Sequence, residues 1–292
     1  MFVFKAAVIG AGVMGAQIAQ VIAAAADLPV VVKDLDRERA QAGVAEAIAV
    51  TERRAERWVQ RATATREQAQ WRVQRVRELL HATDSYEDLR DVDLVIEAVP
   101  EDLPAKQQVF AELDAHTPGH ALLATNTSSL SVMSIADAVS PSRRSRVLGL
   151  HFFWPAAAMR VVEVVASEDT SPEAVQAAAN FVQQARKAPI RSLDSPGFVV
   201  NRILGSMNSE LWAFQEQSAT APAEIDDAVR ASGLLPMGPF EVADQIGLDT
   251  VVRVARELQE AHGNRYGVHA GMLELIEQGH LGAKTGRGFY EH

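Results

Sequence analysis

No cysteine occurs in the 292 residues, so disulfides, thiol nucleophiles and cysteine-ligated metal are excluded. No metal of any kind is expected. Lysine is scarce: among 28 lysines and arginines, only Lys5, Lys33, Lys106, Lys187 and Lys284 are lysine. Arginine is the default cation here, so each lysine asks for a local reason. No apolar run reaches the roughly eighteen residues that a membrane span needs, and no membrane partner is expected. The apolar pattern begins by Val3 and leaves no room for a signal or transit peptide, which makes a cytoplasmic location the expectation. Positive charge is also short. A formal net charge of −10 argues against nucleic acid as the main partner.

The length suits two domains of unequal size. Residues 3–9 (VFKAAVI) predict a short buried strand. GAGVMG follows at once, then a run of strong helix formers, then a second apolar run from Leu28 to Lys33 ending at Asp34. Strand, glycine turn, helix and strand ending in an acid make one βαβ unit.

Residues 36–80 predict two long helices, broken near ATATR, where Thr65 and Gln68 fit a helix-start capping box. Their apolar positions, Trp58, Val59, Trp71, Val73 and Val76, are too few to bury both, so an arm projecting from the sheet is expected. Between Glu52 and Glu78 this arm carries eight arginines against four glutamates, a basic island in an acidic chain.

Strand patterns resume at residues 93–99, 121–125, 147–153 and 161–166, with helical segments in several of the gaps, and PIRSL predicts a last short strand. This alternation argues for an α/β, mostly parallel, doubly wound sheet of the Rossmann type. After Ser195 strand signals become sparse. The expected organisation is a dinucleotide-binding domain over 1–194, with the arm at about 36–80, and a smaller all-helical domain over 195–292.

Gly10, Gly12 and Gly15 form G-x-G-x-x-G, with Val13 and Met14 in the x positions that open the helix. The first glycine allows a tight turn, the second lets backbone approach a pyrophosphate, and the third lets helix and strand pack closely. The helix N-terminus offers unpaired N–H groups to the anion. Asp34 stands nineteen residues beyond Gly15, where an acid accepts hydrogen bonds from the adenosine ribose. Its charge would repel a 2′-phosphate, which favours NAD over NADP. Lys33 and Arg37 pull the other way, and Asp34 as an ordinary turn residue is the plainer alternative.

His151 ends a strand pattern, where doubly wound sheets border their ligand crevice. Glu163 interrupts the apolar run VVEVV, and a buried acid is costly unless it is paired. A histidine–carboxylate pair meets that demand, fixes the imidazole tautomer and raises its basicity, as oxidation of a hydroxyl requires. An arginine partner for Glu163 is the alternative.

GAGVMG, VIEAVPE, NTSSL, HFF-P followed by VVEVV, SPGFVVNR, LLPMGPFEVADQIGLDT and GAKTGRGFY resemble, in order and over nearly the whole chain, the L-3-hydroxyacyl-CoA dehydrogenase family (3-hydroxybutyryl-CoA dehydrogenase-like). The resemblance implies an NAD-dependent oxidoreductase that interconverts a 3-hydroxyacyl thioester and its 3-oxo form. It implies His151 as general base, Glu163 as the acid that orients it, and Ser128 as a hydrogen-bond partner of the reacting oxygen. Asn201 would contact the substrate from the second domain. Glu101 and Lys106 would meet the nicotinamide half of the cofactor, and Lys284 would reach toward the cofactor from the C-terminus. A homodimer through the C-terminal helices is implied as well. For Ser128 a helix cap is the alternative, since NTSSLS is good capping sequence.

Two features depart from the family. Its pattern is HFFNP and this chain has HFFWP. Trp154 offers one N–H donor, no acceptor and more bulk, and either fills acyl-pocket volume or packs outward. In the family the arm helps to hold coenzyme A. Here Arg53, Arg54, Arg57 and Arg61 could meet the phosphates of coenzyme A or an acidic acyl carrier protein, or form a solvated helix face. The readings left open are the CoA thioester, the same chemistry on a carrier protein in biosynthesis, a free sugar acid, and an NAD-binding protein without turnover.

Overall fold

The computed structural model describes residues 2–292. The chain divides into two compact units, Met1–Ser195 and Pro196–His292.

The first unit is built on eight strands: β1 (Ala6–Ile9), β2 (Val30–Lys33), β3 (Leu80–Thr83), β4 (Leu94–Glu97), β5 (Leu122–Thr125), β6 (Val147–Phe152), β7 (Val161–Ala166) and β8 (Ala188–Leu193). Their order in the sheet is β3-β2-β1-β4-β5-β6-β7-β8. All neighbours are parallel except β6 and β7, which run antiparallel. β1, β2 and β4 are buried along their whole length, as strands covered on both faces must be. The order reverses between β1 and β4, and the crevice outside the strand ends at such a switch point is where doubly wound sheets bind ligands.

Helix α1 (Val13–Val21) leaves β1 through the glycine turn and continues into a π-helical turn over Ile22–Ala26. Then come α2 (Arg37–Gln60) and α3 (Arg66–Leu79), and the capping box at Thr65 and Gln68 forms as expected. The base of the arm packs on the sheet layer. Ala40, Gly43, Ala47 and Val50 of α2 and Val76 and Leu79 of α3 are buried, with Ala47, Val76 and Leu79 in the sheet's own core. Small residues make this contact, and a count of large apolar side chains passes over it. The strand β3 was also missed, because its pattern LHAT merges into the preceding helix. At the N-terminus β1 is shorter than its apolar pattern, with Phe2 and Phe4 exposed. Helices α4 (Leu103–His116), α5 (Val132–Ala136) and α6 (Pro172–Gln184) complete this unit.

The second unit comprises α7 (Val200–Ser218), α8 (Pro222–Ala231), α9 (Pro239–Ile246), α10 (Leu248–His262) and α11 (Ala270–Glu277). Trp212, Phe240, Leu248 and Met272 centre its core. Two fully buried acids organise its motifs. Asp226 accepts from the amides of Phe240 and Glu241 and from the Tyr290 hydroxyl. Asp244 accepts from the amides of Phe289 and Tyr290. GPFEVAD and GRGFY are thus tied together by satisfied buried carboxylates. Among the described residues no helix is long and apolar enough to cross a membrane.

Candidate active site

The glycine turn forms one end of the crevice. Gly10 has φ of 93°, and a side chain there would meet the Ala98 carbonyl at 2.7 Å. A Cβ on Gly15 would lie 1.7 Å from the Gly10 carbonyl oxygen, so helix and strand approach as only glycine permits. Gly12 caps α1 without any side-chain hydrogen bond, and a Cβ added to it would meet nothing within 4 Å. The first-turn amides of α1, including those of Val13 and Met14, therefore face open space at the positive end of the helix. That arrangement suits a pyrophosphate.

Asp34 closes the turn from β2. Its Oδ2 accepts from the Ala11 amide at 2.6 Å and its Oδ1 from the Leu35 amide at 2.7 Å. The carboxylate thus stands beside the glycine turn, where a ribose diol of the dinucleotide would reach it. Lys33 is turned away: it is 6% exposed, with Nζ 4.1 Å from the Tyr86 ring centre. Burial lowers its pKa, while Asp34 pulls it upward. Since Lys33 is not offered to a 2′-phosphate, NAD should bind at least about tenfold more tightly than NADP, a difference of roughly 1.4 kcal/mol. Titration of both cofactors checks this, and equal or tighter NADP binding would move the weight to Arg37.

At the other end of the crevice β6 and β7 pair His151 directly opposite Glu163. Nδ1 of His151 lies 2.6 Å from Oε2 of Glu163, and both residues are buried. A carboxylate only accepts, so Nδ1 is assigned the donor role, and in the neutral ring Nε2 is then the acceptor. The Ser128 hydroxyl stands 3.2 Å from that Nε2. Ser128, His151 and Glu163 therefore form one continuous chain of hydrogen bonds.

Ser128 is placed by Glu101. One carboxylate oxygen of Glu101 accepts from the Thr127 hydroxyl at 2.6 Å and from the amides of Ser128 and Ser129 at 2.8 and 3.1 Å. Burial pushes the Glu101 carboxyl up, but the Thr127 hydroxyl, Lys106 and these amides together hold it below the usual carboxylate range. Lys106 is itself 1% exposed; its Nζ donates to Glu97 at 2.7 Å and lies 3.3 Å from Glu101. It also donates to the Val99 carbonyl at 3.2 Å.

Glu97 escaped notice in the sequence. It ends β4 fully buried and also accepts from the Thr125 hydroxyl and the Val99 amide, each at 2.7 Å. The available signal was the one that exposed Glu163: an acid closing an apolar strand, LVIE. Asn126 and Gln17 were passed over too. They fasten the active-site strand and loop, accepting from the amides of Phe152 and Ala156 at 2.8 and 2.7 Å.

Trp154 is 57% exposed and packs outward. The following loop is clamped instead by cations. Lys187 Nζ donates to the carbonyls of Ala156 and Met159, each at 2.7 Å, and Arg54 to that of Ala157 at 2.8 Å. Burial first, and Arg54 second, lower the Lys187 pKa to about 8. In the arm, Arg53 is paired with Glu46 and Arg77 with Glu52. Asn201 sits in the first turn of α7, and Lys284 pairs with Asp249 at 2.5 Å; both belong to the second unit.

Residues 5–195 match the family described as 3-hydroxyacyl-CoA dehydrogenase, NAD binding domain, and residues 197–292 its C-terminal domain. The chain belongs to the 3-hydroxyacyl-CoA dehydrogenase family. Its activity is NAD-dependent oxidation and reduction at C3 of a 3-hydroxyacyl thioester. A 3-hydroxybutyryl-CoA dehydrogenase of Clostridioides difficile is 35% identical, the match covering 99% of each chain. The crystal structure of (S)-3-hydroxybutyryl-CoA dehydrogenase PaaH1 from Ralstonia eutropha superposes with a TM-score of 0.89 at 33% identity, covering 99% of each. A fatty acid oxidation complex subunit alpha of Shewanella baltica is 33% identical, and there this chain spans only 39% of the relative's length.

Proposed function

We propose that the chain acts on the coenzyme A thioester of a short L-3-hydroxy acid, with Ser128, His151 and Glu163 as its reacting constellation. Asn201 holds the thioester, and Asp34 with the glycine turn holds NAD. The observation that carries this reading is the hydrogen-bonded line Ser128–His151–Glu163, which sets an imidazole nitrogen against a hydroxyl. NAD supplies the acceptor for the hydride that leaves C3. His151 Nε2 takes the proton of the 3-hydroxyl, Glu163 stabilises the resulting imidazolium through Nδ1, and Ser128 donates to the oxygen as it becomes a carbonyl. Glu101 keeps Ser128 in place, and Lys106 holds Glu101. Lys284 is proposed to act on the cofactor side from the second unit.

Coenzyme A is favoured over a carrier protein because the full-length relatives this chain resembles are named 3-hydroxybutyryl-CoA dehydrogenases. The test is NADH oxidation with acetoacetyl-CoA and with the same acyl group on an acyl carrier protein. Faster turnover with CoA is expected. A preference for the carrier protein would overturn the choice of carrier, and inactivity with both would overturn the substrate class.

A homodimer through the second unit is part of this reading. Ile203, Leu204 and Phe214 of α7, with Leu234, Met237 and Ile246, are exposed large apolar residues of this unit. Pairing such faces across a two-fold axis buries them. Sedimentation at micromolar concentration should give a dimer, and a monomer there would refute it.

A further inference from the structure

The chain has only four tryptophans, and two of them line one cavity that the reaction does not use. Trp58 of α2 and Trp71 of α3 stand above the π-helical turn, whose Ala23, Ala24 and Ala25 make a floor of methyl groups. The space is about 300 Å³. It lies at the end of α1 opposite the glycine turn, and fourteen helical residues span about 20 Å, so the two sites are separate.

The rim is cationic. Arg72 lies 4.8 Å from the Trp58 ring centre, Arg75 binds Asp27 through Nε and Nη2 at 2.7 and 3.3 Å, and Arg186 also lines the cavity. Asp27 is the one carboxylate in the lining, and Arg75 already neutralises it. Among the described residues Arg72 and Arg186 have no ion-pair partner. Trp71 is 66% exposed, apart from the buried positions Ala69, Val76 and Leu79 of the same helix. π-Helical turns recur at functional sites, and Asp27, just after this one, has a left-handed backbone at φ of 56°.

We propose that this cavity is a second ligand site, which takes a planar aromatic anion of one or two fused rings. The ring lies on the alanine floor against Trp71, and the carboxylate is held by Arg72 and Arg186. Arginine suits both tasks, because its planar guanidinium stacks on indole and grips a carboxylate through two parallel N–H bonds. Bound there, the ligand ties α2 and α3 to the end of α1, and so joins the arm to the sheet layer.

Calorimetry on the full chain with naphthoate, and with the uncharged naphthalene methanol as control, tests the site. Naphthoate should saturate at one per chain, bind about tenfold more tightly than the neutral analogue, and quench tryptophan fluorescence. Arg186→Gln and Arg72→Gln should each weaken it about tenfold, while leaving NADH oxidation with acetoacetyl-CoA unchanged. Saturating NAD and coenzyme A should not displace it. Absence of saturation, equal binding of the neutral analogue, displacement by either nucleotide, or indifference to both arginine substitutions would each overturn the proposal.

Discussion

His151→Ala should lower kcat by about a hundredfold or more while leaving the affinity for NAD nearly unchanged. On the proposed reading the imidazole is on the proton's path, whereas the glycine turn and Asp34, proposed to receive the nucleotide, lie at the other end of the crevice. Glu163→Gln keeps the shape of the side chain and the strand pairing, yet removes the charge that stabilises the imidazolium. Its amide can also present an N–H to Nδ1, which would move the proton to Nε2 and disable the base. Its loss should fall in the same range as that of His151→Ala. The double variant should be little worse than either single one, because Glu163 reaches the substrate only through His151. A double-mutant cycle on kcat with acetoacetyl-CoA decides the matter. Losses that multiply independently would make Glu163 a mere fold element, and near-normal turnover of His151→Ala would move the chemistry elsewhere.

The second large effect concerns stability. Lys106→Met leaves Glu97, fully buried, without its cation, and an uncompensated charge of that kind costs about 3–5 kcal/mol. In this variant Glu97 keeps only the Thr125 hydroxyl and the Val99 amide as partners. Glu97→Gln added to Lys106→Met should restore much of the loss by removing the charge at its source. Urea denaturation at several pH values measures all three forms. A deficit below about 1 kcal/mol at neutral pH would mean that the pair carries no charge in the fold.

Glu101 brings a pH dependence. Its carboxyl is held below the ordinary carboxylate range, so its contribution is complete above that range and fades as pH falls through the lowered folded value. Acid should then release the Thr127–Ser129 turn and with it Ser128.

Several parts of this protein were legible in the sequence by itself. The glycine turn and its acid could be read because backbone conformation and close approach demand particular residues at fixed spacing. Alternating apolar strands and helices fixed the doubly wound sheet, since a covered parallel strand has little choice but to be apolar throughout. Glu163 was visible because an acid in such a strand must have a partner, and the register of β6 and β7 supplies His151. Only the tertiary structure decided the rest. The network of Glu97, Lys106 and Glu101 joins the end of β4 to α4 and to the turn after β5, and although LVIE marks a buried acid, no local pattern names its partners near Thr125 and Thr127. The base of the arm packs through alanine and glycine, whose small contacts leave almost no hydrophobic signal yet allow helices to approach closely. Lys33 turned inward over Tyr86 and Arg54 turned toward a loop carbonyl for the same reason: a long side chain can swing through many positions, and the surrounding fold selects one.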